Sequence, residues 1–103
     1  MKEELLKLNY TNFEHYGIQK QMPIWIEEMS ELTKELCKLQ RNYEKFEGDI
    51  PESLLFNLKE ETIDVQVSLD QLKKAINFAI EEQEKFYSYK VNRTANDIKK
   101  EGK

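Results

Sequence analysis

Residues 22–46 read MPIWIEEMSELTKELCKLQRNYEKF, and the apolar positions in that stretch decide the fold class. Met22, Trp25, Met29, Leu32, Leu36, Leu39, Tyr43 and Phe46 follow one another in steps of three and four. That spacing draws one continuous stripe down a helix. The helix begins between Ile18 and Pro23, since proline is tolerated in a first turn, where its missing N–H has no partner to lose. Gly48 ends it, and Asp49-Ile50-Pro51 supplies a cap and a proline for the next start. A second long helix repeats the device with Leu55, Leu58, Thr62, Val65, Leu69, Leu72, Ile76 and Ala79, Thr62 being its one polar member.

Outward from these helices the signals are weaker. Lys2–Tyr10 reads as a short amphipathic helix carrying Leu5, Leu6 and Leu8, followed by a polar break at Asn9–Asn12. His15-Tyr16-Gly17 marks a turn into the first long helix. The apparent helical run from Leu54 to Lys100 is too long for one helix in so small a domain, so a turn is expected near Asn77–Ala79. A last helix carries Ile80, Phe86, Tyr87 and Val91 and frays into a polar tail at Asp97–Lys103. No stretch alternates apolar and polar residues for long, and there are only 3 glycines and 2 prolines. The expectation is an all-α, four-helix bundle built on two long antiparallel helices. It forms a single domain over residues 1–103, with a short helix and turn in 1–14 and a frayed tail over 97–103.

Ile24 and Ile26 on the first long helix, and Ile63 and Val67 on the second, lie away from the main stripes. Two faces of each helix therefore call for burial, which one small protomer cannot supply, so a homodimer or homotetramer is expected.

The formal charge is −4, and no basic cluster interleaves with aromatics, so a nucleic-acid surface is not favoured. The single cysteine, Cys37, fits a reducing compartment. Met1–Asn12 lacks the apolar core of a signal peptide, and no apolar run approaches the roughly 20 residues of a membrane span. A cytoplasmic protein with no membrane partner is the expectation.

The chemistry lies in two acidic motifs. Glu27-Glu28-Met29-Ser30-Glu31 is on the first long helix, and Glu60-Glu61-Thr62-Ile63-Asp64 is on the second. Residues three apart share a helix face, so Glu28 converges with Glu31 and Glu61 with Asp64. With 20 acidic residues in the chain, either motif alone reads as solvated surface, as the run Glu81-Glu82-Gln83-Glu84 does. Register separates them from that background. Relative to Met29 and Thr62, both pairs occupy the same position beside their apolar stripes. Antiparallel packing through those stripes brings four carboxylates to one edge, where they repel unless a cation sits among them. Such oxygen donors suit Mg²⁺, or Mn²⁺ in its place. A di-iron bundle would need Glu-x-x-His on two helices, and His15, the only histidine, lies outside both.

These motifs, with His15-Tyr16-Gly17, Gln21, the run Ile26–Leu32, Leu69-x-x-Leu72 and Lys90-x-x-Arg93, resemble small MazG-like nucleoside triphosphate pyrophosphohydrolases over roughly residues 15–95. The resemblance implies an all-α core of about four helices that assembles as dimers or tetramers. It implies Glu28, Glu31, Glu61 and Asp64 as Mg²⁺ ligands, with Glu27 orienting water or a second metal. The implied reaction is attack of water on the α-phosphorus of a nucleoside triphosphate, giving the monophosphate and pyrophosphate. Lys90 and Arg93 read either as phosphate contacts or as solvated charge. Gln21, two turns before Glu28, reads as a base or sugar contact or as ordinary surface. Lys38, seven beyond Glu31, contacts phosphate or pairs with a glutamate. Trp25 reads as core. Lys90 is followed by Asn92 and Arg93 rather than the fuller Lys-x-x-x-Asn spacing of some branches, and nucleotide preference does not carry over. The competing reading is a non-catalytic helical interaction protein whose acidic edge meets a basic partner.

Overall fold

A computed structural model describes residues 2–102; Met1 and Lys103, at the ends of the expected domain and tail, lie outside the described residues. The chain forms α1 (Glu3–Tyr16), α2 (Ile18–Phe46), α3 (Glu52–Ala75) and α4 (Ile80–Glu101), with no strand among the described residues. The all-α expectation holds.

Two boundaries differ from the sequence reading, each for a local reason, while α2 starts within the range expected for it. The expected break at Asn9–Asn12 is absent, and α1 runs unbroken to Tyr16. Its polar residues are satisfied without leaving the helix: Asn9 Nδ2 donates to the Val67 carbonyl at 3.1 Å and Thr11 Oγ1 to the Lys7 carbonyl at 3.1 Å. Gly17 ends α1 at φ 83°, a conformation that glycine adopts without a Cβ clash, and α2 starts at the next residue. Pro23 consequently lies in the second turn of α2 rather than the first, and its ring removes the hydrogen bond to the Gln19 carbonyl. At the other end, α4 continues through the expected frayed tail as far as Glu101.

The expected turn near Asn77–Ala79 is present and has a definite mechanism. Asn77 adopts φ 54°, the Phe78 N–H donates to the Lys73 carbonyl at 2.9 Å, and the Asn77 N–H donates to the Lys74 carbonyl at 3.1 Å. This is a Schellman closure with asparagine in the left-handed position usually held by glycine. The Glu82 carboxylate accepts the Ala79 N–H at 3.4 Å, and Gln83 Nε2 donates to the Phe78 carbonyl at 2.8 Å, which starts α4.

Helices α2 and α3 pack antiparallel, and α1 lies across both. α4 packs against none of the three, and no α4 Cα comes within 8 Å of a Cα in them. The four helices therefore form a three-helix unit and a projecting arm rather than a closed bundle within one chain.

The α2–α3 seam is also not the apolar stripe that the spacing draws. Met22, Leu36 and Tyr43 are 45%, 49% and 57% exposed, while Trp25 is 3% exposed and is the one hydrophobic residue fully in the core among the described residues. The face α2 turns inward is rotated by roughly 50° from that stripe, a fraction of one turn. It interleaves Trp25, Leu32, Leu39 and Phe46 with Gln21, Glu28, Glu35 and Asn42. Across the seam α3 presents Leu58, Glu61, Val65, Ser68 and Leu72. Polar groups thus enter the interior at every second seam position of α2. At the α1 end they satisfy one another: Gln71 Oε1 accepts from Gln21 Nε2 (3.0 Å) and Trp25 Nε1 (2.7 Å), and Gln71 Nε2 donates to Asn9 Oδ1 (2.8 Å).

Little of this surface is closed off. The chain exposes 8693 Å², against about 6,100 Å² for a compact monomer of its mass. Its radius of gyration is 17.3 Å, against about 13 Å for a compact domain of this length.

Candidate metal centre

Midway along the seam the polar positions become acidic. Glu28 projects from α2, and Glu61 and Asp64, one turn apart, project from α3. One carboxylate oxygen from each lies within 4.8 Å of the other two. Glu28 and Glu61 are half-buried and Asp64 is open to solvent, so the trio has a dry side and a wet side.

The electrostatics follow from that placement. Loss of solvent at the seam, and after it the Asp64 charge, raises the Glu28 carboxyl above its ordinary value of 4.5; Glu61 and Glu27 add to the effect. Glu61 is raised in the same way, first by desolvation and then by Asp64, Glu31, Glu35 and Glu60. Glu61 Oε2 is enclosed and has no hydrogen-bond partner. A mid-helix backbone has no free N–H to offer such an oxygen. The cluster is therefore under-neutralised in a way that a proton or a cation relieves.

The residues singled out from sequence fall into three groups. Glu28, Glu61 and Asp64 converge. Glu31 is half-buried, close enough for its charge to act on Glu61 but outside the 4.8 Å trio, and Glu27 is exposed beside Glu28. Gln21, buried, is held in the Gln71 network with Trp25, and Lys38 Nζ donates to Glu35 Oε1 at 3.1 Å. Lys90 and Arg93 are exposed on α4, away from the acids of their own chain; the Arg93 guanidinium lies over the Tyr89 ring at 5.7 Å. His15 is exposed and stacks edge-on with Tyr16 at 4.8 Å, Cys37 is an exposed free thiol, and the Glu81–Glu84 run is surface apart from the Glu82 contact and the half-buried Gln83, which donates to the Phe78 carbonyl.

Sequence reasoning missed Glu35. It is 8% exposed and lies two turns past Glu28 on the same inward line. The signal was available: Gln21, Glu28, Glu35 and Asn42 recur every seven residues, in step with Trp25, Leu32, Leu39 and Phe46. A polar heptad running beside an apolar one marks a mixed seam.

Among the described residues no helix is long and apolar enough to cross a membrane. Comparison with protein-family models, curated proteins and solved structures found no match.

Proposed function

We propose that this chain is a MazG-like, Mg²⁺-dependent nucleoside triphosphate pyrophosphohydrolase, converting a (deoxy)nucleoside triphosphate to its monophosphate and pyrophosphate. The observation that carries the reading is the convergence of Glu28, Glu61 and Asp64 from two helices onto one point, with an enclosed Glu61 oxygen left unpartnered. All donors are carboxylate oxygens, the set that hard divalent cations take, and neither histidine nor thiolate is present to favour a softer metal. Glu28, Glu31, Glu61 and Asp64 would hold the ion. When bound, Mg²⁺ supplies charge neutralisation for the phosphates and acidifies water for the attack on the α-phosphorus.

The chain's own groups divide the remaining work. The seam keeps Glu28 and Glu61 poorly solvated, which strengthens their attraction for a cation, while Asp64 faces the solvent from which substrate arrives. Glu27, exposed beside Glu28, is positioned to hold a water. Lys90 and Arg93 bind phosphate oxygens in this reading, and because α4 stands clear of its own acids, assembly brings them there.

Assembly has its own support. The excess of roughly 2,600 Å² over a compact monomer is what one partner gives up in an obligate interface. Met22, Leu36 and Tyr43 of α2 and Leu55, Leu69 and Ile76 of α3 stay exposed in heptad register along one side of the seam. Two such faces from two copies close on each other as a four-helix arrangement with two-fold symmetry. The proposed enzyme is a cytoplasmic homodimer, or a tetramer built from it.

The test is a panel of ribo- and deoxyribonucleoside triphosphates with Mg²⁺, the products being separated by ion exchange, with Glu61→Gln as control. Monophosphate plus pyrophosphate, lost in the control, is the expected result. No turnover of any nucleotide, with no Mg²⁺-dependent rise in Tm, returns the chain to the class of helical interaction proteins with an acidic edge.

A further inference from the structure

Two features of the fold lack a partner within the chain, and they match each other. The first is a groove of about 310 Å³ between α1 and α3, walled by Leu5 and Leu8 on one side and Ile63 and Val67 on the other. All four stay about half exposed, and the Asn9 Nδ2 bond to the Val67 carbonyl pins the two walls together. Asp70 is the only charged residue lining the groove among the described residues. The second is a line along α4 made of Ile80, Tyr87, Val91 and Ile98, whose spacing puts them on one face of the helix. Each of these side chains is more than half exposed.

The arm does not lie in its own chain's groove, and its root is fixed. Asn77 closes α3 at φ 54°, the Phe78 and Phe86 rings meet edge to face at 5.6 Å, and Gln83 Nε2 holds the Phe78 carbonyl at 2.8 Å. A helix anchored in that way has no loose hinge by which to fold back. Charge points to what the arm meets instead. The stretch from Lys85 to Lys100 carries Lys85, Lys90, Arg93, Lys99 and Lys100 against Asp97 alone, a balance of +4 in a chain whose formal charge is −4, so the rest of the chain stands at −8. A basic arm with an apolar line and an acidic body with an apolar groove are complementary surfaces of the same molecule.

We infer that α4 of one copy seats its Ile80–Ile98 line in the α1–α3 groove of a second copy, the two arms being exchanged reciprocally about a two-fold axis. On α3 the groove lies roughly 100° around the helix from the Leu55, Leu69 and Ile76 line. Pairing of two copies along that line therefore leaves the groove open, and α4, about 33 Å long at its 22 residues, has the reach to wrap past it. Four apolar side chains per arm give a gain of the same order as the cost of bringing two chains together. The arms accordingly clamp a pair already held through α2 and α3, which supplies the effective concentration that seats them. The inference rests on that proposed pairing and on neither metal nor hydrolysis.

The test is crosslinking between copies of the full chain in a Cys37→Ser background. Val91→Cys in one chain is mixed in turn with Leu5→Cys, Leu8→Cys, Ile63→Cys and Val67→Cys in another, the two chains carrying different mass tags. A short bismaleimide then joins thiols that lie close. All the positions are exposed, and circular dichroism checks that each variant keeps the helix content of wild type. At least one groove position is expected to link to Val91→Cys about tenfold faster than Tyr43→Cys on the α2 line does, the ratio being one of effective concentrations. A mixture that sediments as a dimer but links groove and Tyr43 positions at equal rates overturns the arm exchange and leaves the α2–α3 pairing standing. A chain carrying both Val67→Cys and Val91→Cys that links only to itself overturns it too, by placing the arm in its own groove. Wild type sedimenting as a 12.4 kDa particle overturns the exchange and the pairing together.

Discussion

The carboxylates of Glu28 and Asp64, thirty-six residues apart in the chain, approach within 4.8 Å across the α2–α3 seam, with Glu61 at the same distance or closer to each. Neither helix gains stability from that approach in the absence of a cation. Desolvation and like charge both raise Glu28 and Glu61, so the arrangement works against folding at neutral pH. On the proposed metal-site reading, the chain gives up stability at this contact in exchange for a place to bind a cation.

Metal should therefore act as a folding ligand. Mg²⁺ at a hundredfold excess over its Kd stabilises by about 2.7 kcal/mol, which for a domain of this length shifts Tm by on the order of ten degrees. Glu61→Gln removes the orphaned oxygen's charge and a proposed ligand at once. Its metal-free Tm is expected to equal or exceed that of wild type, and its Mg²⁺ shift to vanish. Differential scanning calorimetry with and without chelator reads both. A Glu61→Gln protein that melts lower without metal and still responds to Mg²⁺ would count against the site.

The pH dependence carries an unusual sign. Glu28 and Glu61 bind protons more tightly in the folded chain than in the unfolded one, because their folded pKa values lie above 4.5. Between the unfolded and folded values the native state holds more protons, so stability rises as pH falls through that window and is lost as pH rises through the folded values. In chelator, Tm should be higher at about pH 5 than at about pH 7. A Glu28→Gln, Glu61→Gln double variant should lose most of that slope. Saturating Mg²⁺ should reverse it, since protons then compete with the ion.

How much of this was legible in the sequence depends on what each residue's identity constrains. That Glu61 and Asp64 share a face was readable because three-residue spacing on a helix fixes it whatever the tertiary structure, whereas Glu31, paired with Glu28 by the same rule, stays outside the trio. The helix-ending turn at Asn77 was placed to within two residues, although asparagine, unlike glycine, does not announce a left-handed position. The seam itself was misjudged. Hydrophobicity alone favoured the line through Met22, Met29, Leu36 and Tyr43, whereas the packed face rotates toward Gln21, Glu28 and Glu35. Polar side chains read as surface until a partner is known, and Gln71, the partner of Gln21 and Trp25, lies on another helix. Glu35 was lost for the same reason. The separation of α4 was not legible at all, since an amphipathic stripe shows that a helix needs a partner and not which chain supplies it.

The Gln71 network should be the most sensitive polar element in the fold. Gln71 is 5% exposed and ties α1, α2 and α3 together through Asn9, Gln21 and Trp25. Gln71→Leu leaves the Trp25 indole N–H and the Gln21 amide buried without an acceptor, at about 1–3 kcal/mol for each group so stranded. A loss of roughly 2–5 kcal/mol in urea unfolding is expected. Since Glu28 and Asp64 are not part of this network, the Mn²⁺ affinity of the folded fraction should stay near wild type. A Gln71→Leu protein within 0.5 kcal/mol of wild type, roughly the effect of an ordinary surface change, would show that the network contributes little.

Association is the last prediction, and it bears on everything above. A lone chain leaves Leu36 and Tyr43 about half exposed in heptad register with Met22, and α4 without a neighbour. Sedimentation equilibrium at micromolar concentration should give a multiple of 12.4 kDa, and unfolding midpoints should rise with protein concentration. Leu36→Asp places a charge on the exposed line without touching Trp25, Gln71 or the carboxylates. It should dissociate the assembly while helical circular dichroism of α1–α3 persists in part, since an isolated three-helix unit with one buried aromatic is marginal. Wild type sedimenting as a 12.4 kDa particle would remove the apolar line as an interface and, with it, the proposed route by which Lys90 and Arg93 reach the acids. A stable dimer indifferent to Leu36→Asp would instead place the contact elsewhere, with the Tyr87 and Val91 side of α4 the next surface to probe by the same substitution.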